Sequence, residues 1–236
     1  MNTEILKWDS DFFGFKTARI LAPDLDEQRL TKTLQYLRSH DVRLVYWAAS
    51  EEAAFDVHQL GGRLVDKKAI FEADLDKIVL FSSASNSKVV KYTSEIPIQI
   101  LFDLAVQAGE LSRFARDPLF PREKFLALYR EWMRKSLTNE LADEVLVAFT
   151  KDIPAGFVTV SNQEGTGEIG LIAVDAAFRG EHLGQALMAA ALNWYREHGL
   201  HRARVVTQAD NQPACRLYRK NGYEVSRYEY FYHFWL

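Results

Sequence analysis

The sequence predicts an α/β (α+β) protein in which helices flank a mixed, mostly antiparallel central sheet. Three observations support this prediction. The 236 residues are 48% hydrophobic and 26% charged, as in globular proteins with a sizeable core. Strand and helix patterns alternate through the first 80 residues, and three strand patterns separated by turn residues occupy 145–174. We expect a smaller N-terminal α/β domain, residues 1–86, and a larger domain, residues 87–236.

In the N-terminal part, apolar runs and helical periodicity predict alternating elements. Leu30, Leu34 and Leu37 recur at the spacing of one apolar helix face. The predicted elements are a strand over 15–21, a helix over 26–39, a strand over 42–48, a short helix over 51–60 and an extended segment over 63–75. Residues 81–87, FSSASNS, form the one Ser-rich stretch and therefore place the domain boundary.

The C-terminal part begins with two helices joined by a loop, LSRFARDPLFP, and continues with the three strands of an antiparallel meander. The predicted elements are helices over 96–109 and 122–136, strands over 145–149, 155–160 and 167–174, a helix over 183–198, a strand over 202–207, a helix over 212–220 and a strand over 228–235. Gly199 provides a left-handed cap for the helix before it. The last strand, within YEYFYHFWL, is so rich in aromatic residues that we expect an edge covered by the other domain or by a second subunit.

Charge and cysteine content argue against several classes of partner. The net charge of −3 provides no overall positive field for nucleic acid or an anionic membrane surface, although residues 201–236 are locally basic. The single Cys215 cannot close an intrachain disulfide, and no His and Cys residues have metal-ligand spacing, so we expect no metal and a reducing cytoplasm. No apolar run approaches the roughly 18 residues of a membrane span, and no signal sequence follows Met1, so we expect neither insertion nor export.

The stretch GEIGLIAVDAAFRGEHLGQALM carries the clearest chemical signal, because a strand leads through a short loop directly into a helix. Glycines let the backbone approach a ligand, and a helix N-terminus supplies unpaired N–H donors with a partial positive charge, which favours a pyrophosphate. The spacing alone is equally explained if Gly180 and Gly184 only permit a tight turn and close helix packing.

A second motif follows this stretch. The RGxxLG helix entry, with NxxAxxLYxxxGY over 211–223, resembles the GNAT superfamily of N-acetyltransferases. The resemblance implies acetyl-CoA as co-substrate, with its pantetheine along the strand and its pyrophosphate on the loop, and Tyr218 as the group that protonates the departing CoA thiolate. The implied cofactor-binding residues are Leu171, Ile172, Ala173, Val174, Arg179, Gly180, Glu181, His182, Leu183, Gly184, Gln185 and Asn211. The family usually has Gly where this chain has His182, which removes one permissive position from the phosphate cradle.

Elementary chemistry fits the role that the resemblance gives to Tyr218. Ala214 lies one helical turn before it, which clears space above the ring. A phenol with a reference pKa of about 10 stays protonated at neutral pH and can donate a proton. The alternative is a core tyrosine on an amphipathic helix. Asn211 also fits a helix N-cap, with Pro213 in the first turn, and that role is compatible with cofactor contact.

The general base is not evident from the sequence. Glu168, Glu164 and Asp210 are candidates, and each is also explained as a solvated carboxylate near a strand end. Ordered water could instead take the proton. Cys215 could form an acyl-enzyme, but a buried, inert thiol is the commoner state of such a residue.

The opening segment LKWDSDFFGFKTARI, with Ser-Arg-Phe at 112–114 and Trp132, resembles the dTDP-fucosamine acetyltransferase group within the superfamily. That resemblance implies direct attack by the 4-amino group of a thymidine-diphosphate amino-dideoxy sugar used in surface polysaccharides such as enterobacterial common antigen and lipopolysaccharide, in a homodimeric enzyme. The candidate acceptor-binding residues are Asp9, Phe12, Phe13, Gly14, Arg113 and Asp117. Phe12 and Phe13 are equally explained by domain packing, and Arg113 by a solvated loop.

Two other functions remain open at this stage. A transferase acting on peptide or small-molecule amines would use the same cofactor site with a different acceptor groove. A non-catalytic CoA-binding protein would bind the cofactor without turnover.

Overall fold

The structure, a computed structural model, describes residues 2–78 and 88–236. Its strands are β1 (Thr3–Ile5), β2 (Thr17–Ile20), β3 (Leu44–Ala49), β4 (Gly62–Asp74), β5 (Lys88–Lys91), β6 (Glu144–Thr150), β7 (Ile153–Gln163), β8 (Thr166–Val174), β9 (Arg202–Gln208) and β10 (Glu224–Trp235). Its helices are α1 (Lys7–Phe13), α2 (Glu27–Ser39), α3 (Ile98–Gly109), α4 (Arg113–Arg116), α5 (Arg122–Leu137), α6 (Leu183–Glu197) and α7 (Gln212–Lys220).

The described strands form one sheet in the order β1-β2-β3-β10-β4-β9-β8-β7-β6-β5. The pairs β2–β3 and β8–β9 are parallel, and the remaining neighbours are antiparallel. The prediction of an α/β fold with a mostly antiparallel sheet flanked by helices is therefore confirmed. The meander of three consecutive strands is also present, as β6, β7 and β8.

The sheet joins the N-terminal and C-terminal parts of the chain. Strand β4 lies between β9 and β10, and β10 in turn pairs with β3. The proposed boundary between 1–86 and 87–236 falls at residues outside the described part, so this division stays a prediction.

Some sequence-based expectations differ from the structure. The aromatic strand β10 is not an edge strand, because β3 and β4 pair with its two sides, so the expected cover comes from the N-terminal part of the chain. Residues 51–60 do not form a helix along their length. Only a 3₁₀ turn forms, at Val57–Leu60, because the Asp56 carboxylate accepts the N–H of His58 and starts a tight turn there. The short α4 lies within the predicted loop, and β1, α1 and β5 were not predicted.

Helices cover both faces of the sheet. Alternate side chains of β6 show the separation, because Val147 packs with α3 while Ala148 packs with α6. Helix α6 buries Leu187, Ala191 and Tyr195 against the central strands. The pairing of β8 with β9 ends at Ile169↔Val205, which leaves an opening in this layered arrangement.

Candidate functional site

Strands β8 and β9 pair along only part of their length. Their parallel register runs from Thr166↔Arg202 to Ile169↔Val205 and then ends, although β8 continues to Val174 and β9 to Gln208. The backbone groups of 170–174 that point towards β9 therefore have no strand partner in the described part of the chain. Such groups are strong hydrogen-bonding sites, and an extended ligand can pair with them. Leu171, Ile172, Ala173 and Val174, predicted to hold the pantetheine, all lie along this opening.

A bulge in β8 shapes the opening. The register with β7 shifts between Val158↔Ile172 and Val160↔Ile169, which leaves an extra residue in β8. The Thr159 hydroxyl accepts the N–H of Leu171 at 2.8 Å. A Cβ at Gly170 would lie 2.9 Å from that hydroxyl, so glycine allows the bulge to form.

The predicted phosphate loop adopts the conformation that its glycine pattern indicates. Gly180 has φ +92° and His182 has φ +62°, both in the left-handed region. His182 is also the N-cap of α6, and its ring Nδ1 lies 3.2 Å from Gln185 Oε1. The preference for glycine at this position therefore has a backbone cause, since an ordinary residue there is strained by about 1–2 kcal/mol.

Several N–H groups of this loop are available to a ligand. Gln185 and Ala186 donate to the carbonyl of His182, whereas the N–H groups of Gly180, His182 and Gly184 donate to no acceptor within the described ranges. They lie at the start of the 15-residue helix α6, where the helix dipole adds partial positive charge. This arrangement suits the pyrophosphate of a nucleotide cofactor.

Other loop residues hold the loop in place. Leu183 is buried in the core, so that only its backbone is available to a ligand. The Glu181 carboxylate accepts the Thr150 hydroxyl at 2.8 Å, which ties the loop to β6. A Cβ at Gly184 would lie 3.3 Å from Leu217 Cδ2, so this glycine also allows close approach of α6 and α7. Arg179 is exposed and directs its Nε towards the Val174 carbonyl at 3.5 Å.

A cavity of about 230 Å³ occupies the divergence of β8 and β9. It unites residues from both motifs with residues distant in sequence. Its lining includes Asp66, Lys68, Ser112, Arg113, Tyr129, Trp132, Gly170, Leu171, Ile172, Val206, Thr207, Gln208, Asn211, Ala214 and Tyr218.

Tyr218 lines this cavity from α7. Its side chain is buried, and its ring packs edge-on against Phe71 with centroids 5.5 Å apart. Burial raises the pKa of its hydroxyl above the usual value of 10.0, so the group is protonated at neutral pH. Ala214, one turn earlier, also lines the cavity. A protonated phenol at this position is suited to donate a proton to a leaving group.

Asn211 combines a structural role with a position in the cavity. Its Oδ1 accepts the N–H of Ala214 at 3.2 Å as the N-cap of α7, and its Nδ2 donates to the Thr207 hydroxyl at 3.3 Å.

Cys215 lies on the same helix and is buried. Its Sγ lies 3.6 Å from the Gln208 carbonyl oxygen, and burial raises the pKa of its thiol. Such a thiol is a poor nucleophile, which disfavours an acyl-cysteine.

Arg113, a predicted acceptor-binding residue, lies in the cavity wall. Its guanidinium packs over the rings of Tyr46, Phe114 and Phe231, with 4.5–4.9 Å between Cζ and the ring centroids. Its Nε is buried and lacks a hydrogen-bond partner within the described ranges. Arg113 is therefore not on a solvated loop.

Phe13 and Asp117, also predicted acceptor-binding residues, lie outside the lining of this cavity. Phe13 is buried among aromatic rings, with its centroid 5.1 Å from that of Phe120. Asp117 accepts hydrogen bonds from His233 Nδ1 at 2.7 Å and Trp235 Nε1 at 2.8 Å. Both residues pack near α4, which carries Arg113. They therefore support the cavity wall without lining the cavity.

Two of the three carboxylates considered from sequence as general bases form ion pairs, and the third lies in a turn. Glu168 pairs with Arg204, and Asp210 pairs with Arg116 at 2.8 Å. Glu164 lies in the turn after β7, with φ +52°. None of the three lines the cavity as the described residues form it.

Sequence reasoning missed the polar groups that β4 contributes to the cavity. Asp66 and Lys68 lie two positions apart and therefore on one face of the strand, just before the apolar run Ala69–Ile70–Phe71. This pair of charges next to a buried run was the available signal. Burial lowers the pKa of Lys68 to about 8, and its Nζ lies 3.9 Å from the centroid of the Phe231 ring.

The described residues contain neither a cluster of metal ligands nor a membrane-spanning helix. Across residues 2–78 and 88–236, no three His, Cys, Asp or Glu side chains are arranged to hold a metal ion. In the same part of the chain, no helix has the length and apolarity to cross a membrane.

Comparison with known proteins agrees with this geometry. The model of the acetyltransferase (GNAT) family matches residues 108–223, just under half of the chain. The spore coat polysaccharide biosynthesis protein SpsD of Bacillus subtilis is 23% identical over 137 residues, 58% of this chain and 47% of its own. A mycothiol acetyltransferase of Brachybacterium faecium is 32% identical over 90 residues, 36% of this chain and 27% of its own. The chain thus spans less than half the length of these two relatives.

A solved structure covers more of the chain. The GCN5-related N-acetyltransferase of Sphaerobacter thermophilus superposes with a TM-score of 0.63 at 18% identity, over 98% of this chain and 75% of its own. At this identity the likeness concerns the fold alone. With the diverging strands and the family match over both motifs, it shows that this chain has the fold of the GNAT acetyltransferases, a family that uses acetyl-CoA.

Proposed function

We propose that this protein transfers the acetyl group of acetyl-CoA to a primary amine. One observation carries the proposal. The cavity at the divergence of β8 and β9 holds a protonated Tyr218 beside unpaired strand backbone, next to a loop with available N–H groups. These features match, in order, the thioester sulfur, the pantetheine arm and the pyrophosphate of acetyl-CoA.

The chain's own residues supply binding, orientation and one proton. Backbone groups of 171–174 pair with the pantetheine, and the loop from Arg179 to Gln185 holds the pyrophosphate. Asn211 contacts the cofactor from the start of α7. The amine attacks the thioester carbonyl directly, and the Tyr218 hydroxyl donates its proton to the sulfur as the C–S bond breaks. A positioned acid of this kind accelerates a reaction by about 10²- to 10⁴-fold.

For the acceptor we propose a nucleotide-linked amino-deoxy sugar, with dTDP-4-amino-4,6-dideoxygalactose as the first candidate. Two cations, Arg113 and Lys68, lie at the acceptor side of the cavity with aromatic faces beside them. Guanidinium groups bind phosphates well, and aromatic rings stack on bases and sugars. The resemblance of the N-terminal segment to dTDP-fucosamine acetyltransferases supports the same acceptor, as does the similarity to SpsD, whose name places it in polysaccharide biosynthesis. We further propose a homodimer in the cytoplasm.

The first experiment measures CoA release from acetyl-CoA with a panel of nucleotide amino sugars. Turnover with kcat/KM of about 10⁴ M⁻¹s⁻¹ or more on one member supports both the reaction and the acceptor class. Turnover on a small amine or a peptide alone keeps the reaction and rejects the nucleotide sugar. Sedimentation of the same preparation measures the oligomeric state.

A small-molecule amine other than a nucleotide sugar is the second candidate acceptor. The similarity over 90 residues to a mycothiol acetyltransferase supports it. A non-catalytic CoA-binding protein makes a different prediction, because Tyr218→Phe would then alter no turnover. Acetyl-CoA binding without CoA release on any amine would favour that function.

A further inference from the structure

A buried carboxylate in the cavity wall has no role in the function proposed so far. Asp66 is 3% exposed, and its Oδ1 has no hydrogen-bond partner within the described ranges. Buried polar atoms in folded proteins nearly always have partners, because an unpartnered one costs about 1–3 kcal/mol. An unpartnered polar atom in the wall of a cavity indicates that a bound ligand hydrogen-bonds to that atom or transfers a proton to it.

The sheet places Asp66 and Tyr218 on opposite sides of the opening. Along β4, Asp66 and Lys68 share one face by strand alternation, and Phe71 lies on the other. Phe71 is the residue whose ring packs against Tyr218. Asp66 and Tyr218 nevertheless line the same cavity, because that cavity passes between the diverging strands β8 and β9. A group held in the opening therefore has a carboxylate on one side and a phenol on the other.

The surroundings of Asp66 make it a stronger base than an exposed carboxylate. Burial raises its pKa above the usual 3.8, and this effect outweighs the opposing attraction of nearby cations. The charged and polar groups that face Asp66 come from three elements, namely Lys68 on its own strand, Gln208 on β9, and Arg113 and Arg116 on α4. No ion pair joins Asp66 to these cations among the contacts described.

We propose that Asp66 is the general base that takes the proton from the attacking amine. This inference rests on the proposed acetyl transfer. Starting from the neutral amine, the nitrogen forms a bond to the thioester carbon and loses one proton to Asp66. The C–S bond breaks, and the sulfur gains one proton from Tyr218. After product release Asp66 returns its proton to solvent and Tyr218 regains one. An acceptor that arrives as an ammonium ion gives its extra proton to Asp66 first, and solvent then receives it.

Lys68 is the competing candidate, because a lysine with a pKa of about 8 is partly neutral near that pH. Its ammonium lies over the Phe231 ring, where a positive charge is favoured. The two candidates predict opposite results. If Asp66 is the base, Asp66→Asn loses turnover, and in Lys68→Met kcat still decreases at low pH as the base becomes protonated. If Lys68 is the base, this decrease in kcat at low pH is lost in Lys68→Met and remains in Asp66→Asn.

The test compares wild type with Asp66→Asn, which keeps the shape of the side chain and removes its basicity. We expect kcat to fall by about 10²-fold or more, with acetyl-CoA affinity measured by calorimetry unchanged. The matched control is Glu168→Gln, which removes a carboxylate that lies outside the cavity lining and is paired with Arg204. We expect this control to keep the wild-type kcat.

A second variant separates loss of the base from loss of structure. In Asp66→Ala the space of the carboxylate is open, so added formate is expected to restore part of the turnover in a saturable manner. Formate is expected to give no recovery in Tyr218→Phe, because that variant lacks the acid. In wild type, kcat/KM falls as the pH drops through the pKa of Asp66, and this limb is absent in Asp66→Asn.

The outcomes distinguish the base from the proposed function. Turnover by wild type together with an unchanged kcat in Asp66→Asn overturns the base and leaves acetyl transfer standing. If wild type acetylates no amine of the panel, the proposed function fails, and acetyl-CoA hydrolysis tests the base because water then takes the place of the amine. Equal hydrolysis rates in wild type and Asp66→Asn would overturn the assignment of Asp66.

Discussion

The two halves of the proposed site, a cofactor side and an acceptor side, are built in different ways. The proposed cofactor side consists of consecutive residues, from β8 through the loop at Gly180 into α6, and it offers mainly backbone groups. The acceptor side consists of single side chains from distant places in the chain, namely Asp66 on β4, Arg113 on α4 and Trp132 on α5. A site that binds through backbone groups can be recognised in the sequence by its glycines. A site assembled from side chains that are distant in sequence has almost no recognisable sequence pattern. The difference explains why the cofactor side could be predicted as a motif, whereas on the acceptor side Arg113 was predicted and Asp66 was missed.

The two sides also differ in their polar atoms. Donors on the cofactor side lie at an exposed turn, where water can satisfy them until a ligand binds. On the proposed acceptor side, Asp66 Oδ1 and Arg113 Nε are buried without hydrogen-bond partners in the described part of the chain. Such atoms lower the free energy of unfolding, so variants on this side are expected to separate stability from activity.

The largest effect is expected where the two sides meet. Tyr218→Phe removes the proton donor and keeps the ring against Phe71. We expect kcat to fall by about 10²- to 10⁴-fold, with little change in acetyl-CoA affinity or thermal midpoint. Steady-state CoA release and calorimetric titration measure the two quantities. A wild-type kcat at saturating substrates would show that Tyr218 is not the acid.

The second prediction concerns the scaffold of the acceptor side. Burial lowers the pKa of His233 from 6.5 to about 4, and the neutral ring donates from Nδ1 to Asp117. Because the folded-state pKa lies below the unfolded one, this contribution to stability is complete above pH 6.5 and is lost as the pH falls towards 4. The difference between a pKa of 6.5 and a pKa of about 4 corresponds to a loss of about 3 kcal/mol in the free energy of unfolding, because one pKa unit equals about 1.36 kcal/mol.

Urea unfolding of wild type and His233→Asn at pH 7 and pH 4.5 measures this contribution. Wild type is expected to lose more of its free energy of unfolding between these two pH values than the variant does. The control is His40→Asn, which removes the side chain of an exposed histidine. Equal pH dependence in wild type and His233→Asn contradicts the neutral, buried state of His233.

The third prediction separates backbone strain from ligand binding. Gly180 and Gly165 have φ values of +92° and +86°, and a Cβ at either would meet no atom within 4 Å. Alanine at either position is therefore expected to cost about 1–2 kcal/mol of stability through backbone strain alone. Only Gly180→Ala is expected to weaken acetyl-CoA binding, by about tenfold or 1.4 kcal/mol. Equal affinities for the two variants would remove the loop at Gly180 from the cofactor site.

The smallest effect is expected at His182, where the chain departs from the family pattern. His182→Gly relieves the strain of φ +62° and removes the contact with Gln185. We expect a gain in stability on the order of 1 kcal/mol and an unchanged acetyl-CoA affinity, because the backbone path stays the same. Thermal unfolding checks the first expectation and calorimetry the second. A weaker affinity would mean that the imidazole itself contacts the cofactor.

Local sequence alone determined the periodic elements and the cofactor motif. The period of Leu30, Leu34 and Leu37 indicated α2, and the NxxAxxLY spacing located α7 with Asn211 at its N-cap. These features depend on hydrogen bonds and packing between residues a few positions apart, so they can be recognised in a one-dimensional pattern.

Only the tertiary structure decided which residues face the cavity across the sheet. Strand β4, which lies in the part of the chain predicted as the N-terminal domain, pairs with β9 and β10 and brings Asp66 to the cavity. Asp117, a candidate acceptor-binding residue, lies outside the cavity lining, and its carboxylate accepts hydrogen bonds from His233 and Trp235. The order and pairing of distant strands depend on side-chain contacts across the whole sheet, and these contacts cannot be recognised in a local sequence pattern.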